Sequence, residues 1–312
     1  MQKSVAIVGA GVSGLTCGVT FAERGFPVKI FAEQVGIQTT SGAAGALWFP
    51  YDAEPAEKVI PWALATYKVL VGLVSDPRSG VSMIELRQYC RAGKIKTPDW
   101  ANSLGAAVTA LRAVSNDFAS GFAIKVPLTD TTVYLDYLAN RFQKAGGKIK
   151  GSVHFEKLED VEGDLVINCA GIGARELARD LDLEPHRGQV AIGPKMENLQ
   201  CAIVCDDDPL MYVIPRANDC LFGGTNTVSD DLKPDSTTTK AIVAECSRVL
   251  KIQSPQVLRE RVGLRPFRKS GVRLEKEKLS DGRTVIHNYG HGGAGFTMSW
   301  GCAEEVFQRA KV

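Results

Sequence analysis

Within its first fourteen residues the chain reads Val5-Ala6-Ile7-Val8 and then places glycines at 9, 11 and 14. An apolar run followed by GxGxxG predicts a strand turning into a helix, and each glycine has its own reason to be there. Gly9 permits the tight turn, Gly11 lets the backbone approach a pyrophosphate with no Cβ in the way, and Gly14 lets the helix pack on the strand. Phosphates would sit at the helix N-terminus, where unpaired N–H groups and the macrodipole favour anions. The helix also has a stop, because Gly25 suits a left-handed end and Pro27 follows it. Val28 to Ala32 then predicts a second strand ending in Glu33, an acid about 20 residues past the glycines and placed to accept both hydroxyls of an adenosine ribose. A tight turn in another fold would need none of the rest. Strand, helix, strand and acid together predict a dinucleotide site.

A second glycine-rich run, NYGHGGAGFTMSWG at 288–301, lies almost the whole chain away. The pair suggests a cofactor wrapped by both ends of the sequence. At 312 residues two domains are expected. Lys+Arg 37 against Asp+Glu 35 gives a net charge of +2 with no basic tract, which argues against nucleic acid and anionic membrane as partners. There is no apolar run of about 18 residues, and a first strand starting by about residue 4 leaves no room for a signal peptide. The final Ala310-Lys311-Val312 is not the Ser-Lys-Leu of a peroxisomal address. A cytoplasmic protein is the expectation.

The eight cysteines include no CxxC pair. Cys17 and Cys169 lie in apolar patterns that predict small buried hydrophobes, and Cys201 and Cys205, on one side of a strand-like stretch, are poorly placed for a disulfide. His287 and His291 have the spacing of a helical metal site, but Asn288, Tyr289 and Gly290 between them read as strand and turn, so no metal is predicted.

Between the glycine runs, Thr39 to Tyr51 (TTSGAAGALWFPY) is rich in small residues and allows close backbone approach to something flat. Residues 54–72 predict a helix with Val59, Ala63, Thr66, Val69 and Leu70 toward one side, and Leu135 to Lys144 predicts another, opened after Thr132. Asp164 to Ala174 is a continuous apolar strand entering a glycine turn, as a strand buried on both faces of a parallel sheet requires. From Gln189 to Gly224, short strand-like runs separated by Pro, Asn, Asp and Gly predict an antiparallel sheet. The fold expected is α/β, a Rossmann-like domain (1–50, 132–182 and 275–312) interleaved with a substrate domain on a mostly antiparallel sheet (51–131 and 183–274).

These motifs, together with HRGQ, MYVIP and GLRPFR, occur in the order and at the spacings of the D-amino-acid oxidase family of FAD flavoproteins, which the chain resembles from first strand to last helix. The resemblance implies FAD, held by Gly9, Gly11, Val12, Ser13 and Gly14, with Glu33 on the ribose and Gln34 where mammalian members usually have arginine. It places Thr40 and Ser41 near the pyrophosphate and flavin, Gly45, Ala46 and Leu47 beside the flavin ring, and Ala170 where the buried strand meets the cofactor. Gly292 would join the cofactor site, and Gly293, Ala294, Gly295, Phe296 and Thr297 would bring N–H groups and a hydroxyl to the N1 and O2 edge of the flavin.

On residues alone, Arg265 before a proline could as readily cap a strand, and Tyr212 in MYVIP could be core. The resemblance makes Arg265 the bidentate holder of a substrate carboxylate, Tyr212 a third donor, and Asn226 and Gly293 neighbours of the same site. No general base is then needed, since a neutral amine lets the Cα hydrogen leave as hydride. The partners implied are a D-amino acid and molecular oxygen. Where the family often has a lid with a second tyrosine, this chain has Asp206-Asp207-Asp208-Pro209, which predicts a short acidic connection and an open entrance. Asn226 is arginine in D-aspartate oxidases, so neutral D-amino acids, aliphatic ones foremost and basic ones tolerated, are expected. A glycine or sarcosine oxidase, a D-aspartate oxidase and a flavin-binding protein without turnover are the alternatives.

Overall fold

The computed structural model describes residues 3–104, 108–111 and 117–311, so Val312 of the C-terminal reading lies outside the described residues. β1 (Val5–Ala10), α1 (Val12–Ala22) and β2 (Val28–Val35) form the unit that the first glycines predict. β2 does not stop at Glu33. After a break in register Ala10 pairs with Val35, which carries the strand two residues further. Gly9 adopts φ +105°, and a Cβ there would lie 2.3 Å from the carbonyl oxygen of Cys169.

α2 (Ala56–Leu73) buries Val59, Trp62, Ala63, Thr66 and Leu70, while Val69, expected on the same face, is only half-buried. β3 (Val81–Cys90), α3 (Asp99–Ser103), β4 (Thr109–Leu111) and β5 (Ser120–Thr129) follow. α4 (Thr131–Lys144) opens earlier than expected, because Asp130 and not Thr132 caps it. The Asp130 carboxylate accepts from Thr132 N at 3.0 Å and from Thr132 Oγ1 at 2.6 Å. After β6 (Lys148–Lys150), the apolar run at 164–174 supplies β7 (Leu165–Asn168), buried at every position, and then a turn and the short α5 (Ala174–Leu177).

β8 (Leu183–Pro194), β9 (Cys201–Cys205), β10 (Met211–Pro215), β11 (Asp219–Gly223) and β12 (Thr227–Val228) occupy the punctuated middle. α6 (Ser236–Leu250), β13 (Arg259–Arg268), β14 (Arg273–Lys278), β15 (Thr284–Tyr289) and α7 (Gly295–Lys311) complete the described elements.

Two sheets result. The first has the order β14-β15-β7-β1-β2-β6 and is parallel except at β14. The second runs β12-β8-β11-β10-β9-β3-β5-β4, with β13 also on β8, and is antiparallel except where β3 meets β9. This is the α/β class expected, with the two sheets interleaved along the chain. The boundaries drawn at 132 and 275 fall inside α4 and β14, each of which is continuous.

What matters for the site is how α1 and α7 pack. Phe21 and Phe307 meet edge to face with ring centroids 5.1 Å apart, and Phe26 joins them. At the other end of the pair, a Cβ on Gly295 would lie 3.7 Å from Val12 Cγ1. Two helix N-termini from opposite ends of the chain thus lie side by side. Among the described residues no helix is long and apolar enough to cross a membrane, and no cluster of His, Cys, Asp and Glu could hold a metal. All eight cysteines are free thiols.

Candidate active site

A single cavity of about 870 Å³ runs from the β1–α1 turn to the face of the second sheet. Gly9, Gly11, Val12 and Ser13 line it at the turn. The N-cap of α1 is Gly11, which has no side chain to close the helix end, and only the Val12 N–H is drawn aside, donating to Ser41 Oγ at 3.0 Å. Gly14 does not line the cavity. Its Cβ would fall 1.9 Å from the Gly9 carbonyl oxygen, so it serves the packing of helix on turn.

Toward one end lie Glu33 and Gln34. Glu33 is engaged by His154, whose Nδ1 is 2.6 Å from Glu33 Oε1. That hydrogen bond, helped by the carboxylate charge, raises the His154 pKa. Thr40, Ser41, Gly45, Ala46, Leu47 and Ala170 line the middle. Ala46 has φ +50°, and the stretch after Gly45 is tied to β5 through Thr129 N to Ala46 O at 3.1 Å and Trp48 N to Pro127 O at 2.9 Å.

The late glycine run lines the cavity too, through Gly292, Gly293, Gly295, Phe296 and Thr297. Ala294 sits behind it, fully buried, its N–H donating to the His291 carbonyl at 2.9 Å. The Thr297 hydroxyl, expected to face a flavin, is instead engaged with the Phe49 backbone: it accepts from Phe49 N at 3.1 Å and donates to Phe49 O at 3.0 Å. Helix N–H groups, rather than this hydroxyl, are what α7 presents. Burial lowers the pKa of His291 to about 4. It stays neutral beside the phosphate turn, with Nε2 3.0 Å from Asn288 Oδ1 and Nδ1 3.5 Å from Ser13 Oγ.

At the far end Arg265, Tyr212, Tyr51, Asp206 and Leu210 share the wall. Arg265 Nη1 donates to Thr225 O at 2.9 Å and to Asn226 Oδ1 at 3.3 Å, and no ion pair with a carboxylate engages it among the described residues. Asn226 itself is exposed and not among the lining residues, and it donates to Tyr51 Oη at 3.2 Å. Burial raises the Tyr212 pKa, opposed by the charge and hydrogen bond of Arg265. Tyr51 is pushed by burial to about 12, again against Arg265. The arrangement is an uncompensated guanidinium, two protonated phenols and a small acidic rim, which can hold a carboxylate and keep water from the atom next to it. Arg187 and Gln189 of HRGQ, by contrast, are structural: they tie β8 to the 231–235 segment and to Thr239 of α6.

Sequence motifs single out neither Tyr51 nor His154. Tyr51 closes the small-residue stretch, whose composition speaks for backbone approach and not for a side chain. His154 belongs to no motif, and only the strand order that puts β6 beside β2 brings it to Glu33.

Residues 4–309 match the model of the family described as FAD dependent oxidoreductase, DAO. The chain is 39% identical over 96% of its length to a D-amino-acid oxidase of Rubrobacter xylanophilus, covering 93% of that protein. It is 38% identical over 98% of its length to one of Streptomyces coelicolor, covering 96% of it. In fold it matches the crystal structure of glycine oxidase from Geobacillus kaustophilus with a TM-score of 0.83 at 18% identity, over 99% of this chain and 95% of that one. The chain therefore belongs to the family of FAD-dependent oxidoreductases. Within it, this is a flavoenzyme of the D-amino-acid oxidase type, and FAD is its cofactor.

The cavity fits that group. The open N-terminus of α1, the turn packing that admits no Cβ at Gly9 or Gly14, and the N-terminus of α7 beside that of α1 are what a dinucleotide carrying a flavin needs. Positive potential from the α7 end favours negative charge on a ring placed against Gly293 to Thr297.

Proposed function

We propose that this enzyme oxidises neutral D-amino acids, aliphatic ones foremost, with water and oxygen giving a 2-oxo acid, ammonia and hydrogen peroxide. The observation that carries this reading is the state of Arg265: a half-buried guanidinium in the cavity wall, held by Thr225 O and Asn226 Oδ1 but matched by no carboxylate among the described residues. A charge kept this way is a seat for a carboxylate from outside. Tyr212, protonated and beside it, donates a further hydrogen bond. Two anchors on the carboxylate fix the orientation of the Cα hydrogen, and the apolar Leu210 and Leu232 that also line the cavity take an aliphatic side chain. When bound, FAD supplies the two-electron acceptor for that hydrogen and the route of electrons to oxygen. The protein residues orient the substrate, exclude water and need not remove a proton, provided the amine enters neutral.

Asn226 at the arginine's side offers no positive charge for a second carboxylate, and Asp206 opposes one, which supports neutral over acidic substrates. The likeness to glycine oxidase rests on the fold alone. We also assign 1–50, 132–182 and 275–312 to the FAD-binding part and 51–131 and 183–274 to the substrate part, a division supported by the two sheets apart from the few residues noted above.

The test is anaerobic mixing of the purified holoenzyme with D- and L-amino acids, following the flavin band, with peroxide assayed on readmitting air. Bleaching by D-alanine, D-valine and D-methionine ahead of D-aspartate and of every L-isomer is expected. Bleaching by glycine or sarcosine ahead of D-alanine overturns the reading.

A further inference from the structure

FAD brings an anionic pyrophosphate, and the cavity that takes it is short of positive charge. Among the described residues that line it, the only lysine or arginine is Arg265, at the substrate end. His291, beside the β1–α1 turn, is kept neutral by burial. The turn itself offers the N–H groups and dipole of α1, which amount to a partial charge.

The Glu33 end of the cavity is more acidic still. Glu33 of β2, Glu156 on the segment that follows β6 and Glu176 of α5 all line the cavity, three exposed carboxylates from three parts of the chain. His154 stands among them and feels the charge of each. Its Nδ1 is 2.6 Å from Glu33 Oε1, while its Nε2 and the second oxygen of Glu33 have no hydrogen-bond partner among the described residues. The hydrogen bond to Glu33 and the charge of that carboxylate raise the His154 pKa above 6.5, with Glu156 and Glu176 adding to the effect. When protonated, the imidazole is a donor at both ring nitrogens.

We propose that His154 holds FAD by its charge: protonated and clipped to Glu33, it supplies the positive charge that this end of the cavity otherwise lacks, so that FAD affinity follows the protonation of one side chain. Glu33 keeps one oxygen free for the ribose that the sequence assigns to it. The sign follows from linkage. An anion bound nearby favours the imidazolium, so FAD binding takes up a proton, and affinity is highest where His154 is already charged and falls as pH rises through the window above 6.5.

Dilution of the holoenzyme, with released FAD read by its fluorescence, gives Kd at pH 6.5 and at pH 9. For the wild type Kd is expected to rise about fivefold over this interval. His154→Gln keeps a donor for Glu33 without the charge and should show the weaker Kd at both pH values. His154→Arg is charged throughout and should show the tighter Kd at both. The position is exposed, so neither substitution disturbs the core. Asp206, whose carboxyl is raised to about 6, lies at the far end of the cavity and is the same in all three proteins, so the comparison removes its share. A purely structural role for His154 would shift Kd in the variants and leave the slope with pH unchanged. A wild-type Kd constant within about twofold, or one whose rise with pH is matched by both variants, overturns the proposal.

Discussion

Arg265 rests directly on Gly188: a Cβ built on that glycine would lie 2.5 Å from Nη1 and 2.7 Å from Cζ. In the β8–β13 ladder Arg265 pairs with His186 and Gly188 with Gly263, so the guanidinium reaches back along the ladder to occupy the space that glycine leaves. Gly188→Ala should push the guanidinium out of position without touching the FAD-binding turns. KM for a neutral D-amino acid is expected to rise at least about tenfold with flavin content unchanged. Steady-state kinetics with the flavin absorbance of the purified variant check this, and an unchanged KM would mean that the substrate is not held from this spot.

Tyr212 is seated in the same way. A Cβ on Gly223 would come within 2.0 Å of its ring and one on Gly224 within 2.7 Å. Tyr212→Phe keeps this packing and removes only the hydroxyl. We expect a loss of about 1 kcal/mol, roughly fivefold, carried by KM. Single-turnover flavin reduction at saturating substrate separates this from an effect on chemistry, which should stay within about threefold.

The glycines of the first turn predict an order of damage. At Gly14 a Cβ would meet the Gly9 carbonyl oxygen at 1.9 Å, whereas at Gly11 it would meet Ser41 Oγ at 3.0 Å, a side chain that can move. Gly14→Ala should therefore abolish FAD binding or folding, while Gly11→Ala weakens FAD binding in a folded protein. Ser41→Ala, which removes the acceptor from Val12 N–H, should raise the Kd for FAD about fivefold. Flavin fluorescence titration of the apoproteins measures all three.

The parts of the fold that repeat a short-range rule are legible in the sequence. β1, α1 and β7 are apolar runs punctuated by glycine, and such runs state their own ends. β3 and β5 are not legible in the same way. Both are ten-residue strands with polar or charged positions (Glu85, Arg87, Gln88; Lys125), and they acquire their place from pairing with each other and with β9. The site divides likewise. Residues such as Gly9 and Arg265 sit in motifs, but the Arg265–Asn226–Tyr51 chain and the His154–Glu33 pair join residues far apart in sequence, and no local pattern encodes them. Thr297 shows the limit from the other side, since nothing in its motif announces that its hydroxyl is claimed by the Phe49 backbone.

His291 links stability to pH. Its pKa is held at about 4 by burial, against 6.5 as the ordinary value. Between these two values the unfolded chain binds the proton and the folded one does not, so the contribution is fully present above about pH 6.5 and is lost as pH falls toward 4. At full loss it is on the order of 3 kcal/mol. Burial lowers His287 too, which acts in the same sense, whereas Asp206, with its carboxyl raised to about 6, gains protons on folding and offsets part of the loss over the same window. The wild-type profile alone therefore understates the His291 share. His291→Gln removes that titration and leaves the others, so between pH 6.5 and 4.5 urea unfolding of the two holoproteins should diverge, the wild type losing stability faster. Parallel profiles would show that His291 is not held neutral in the folded protein.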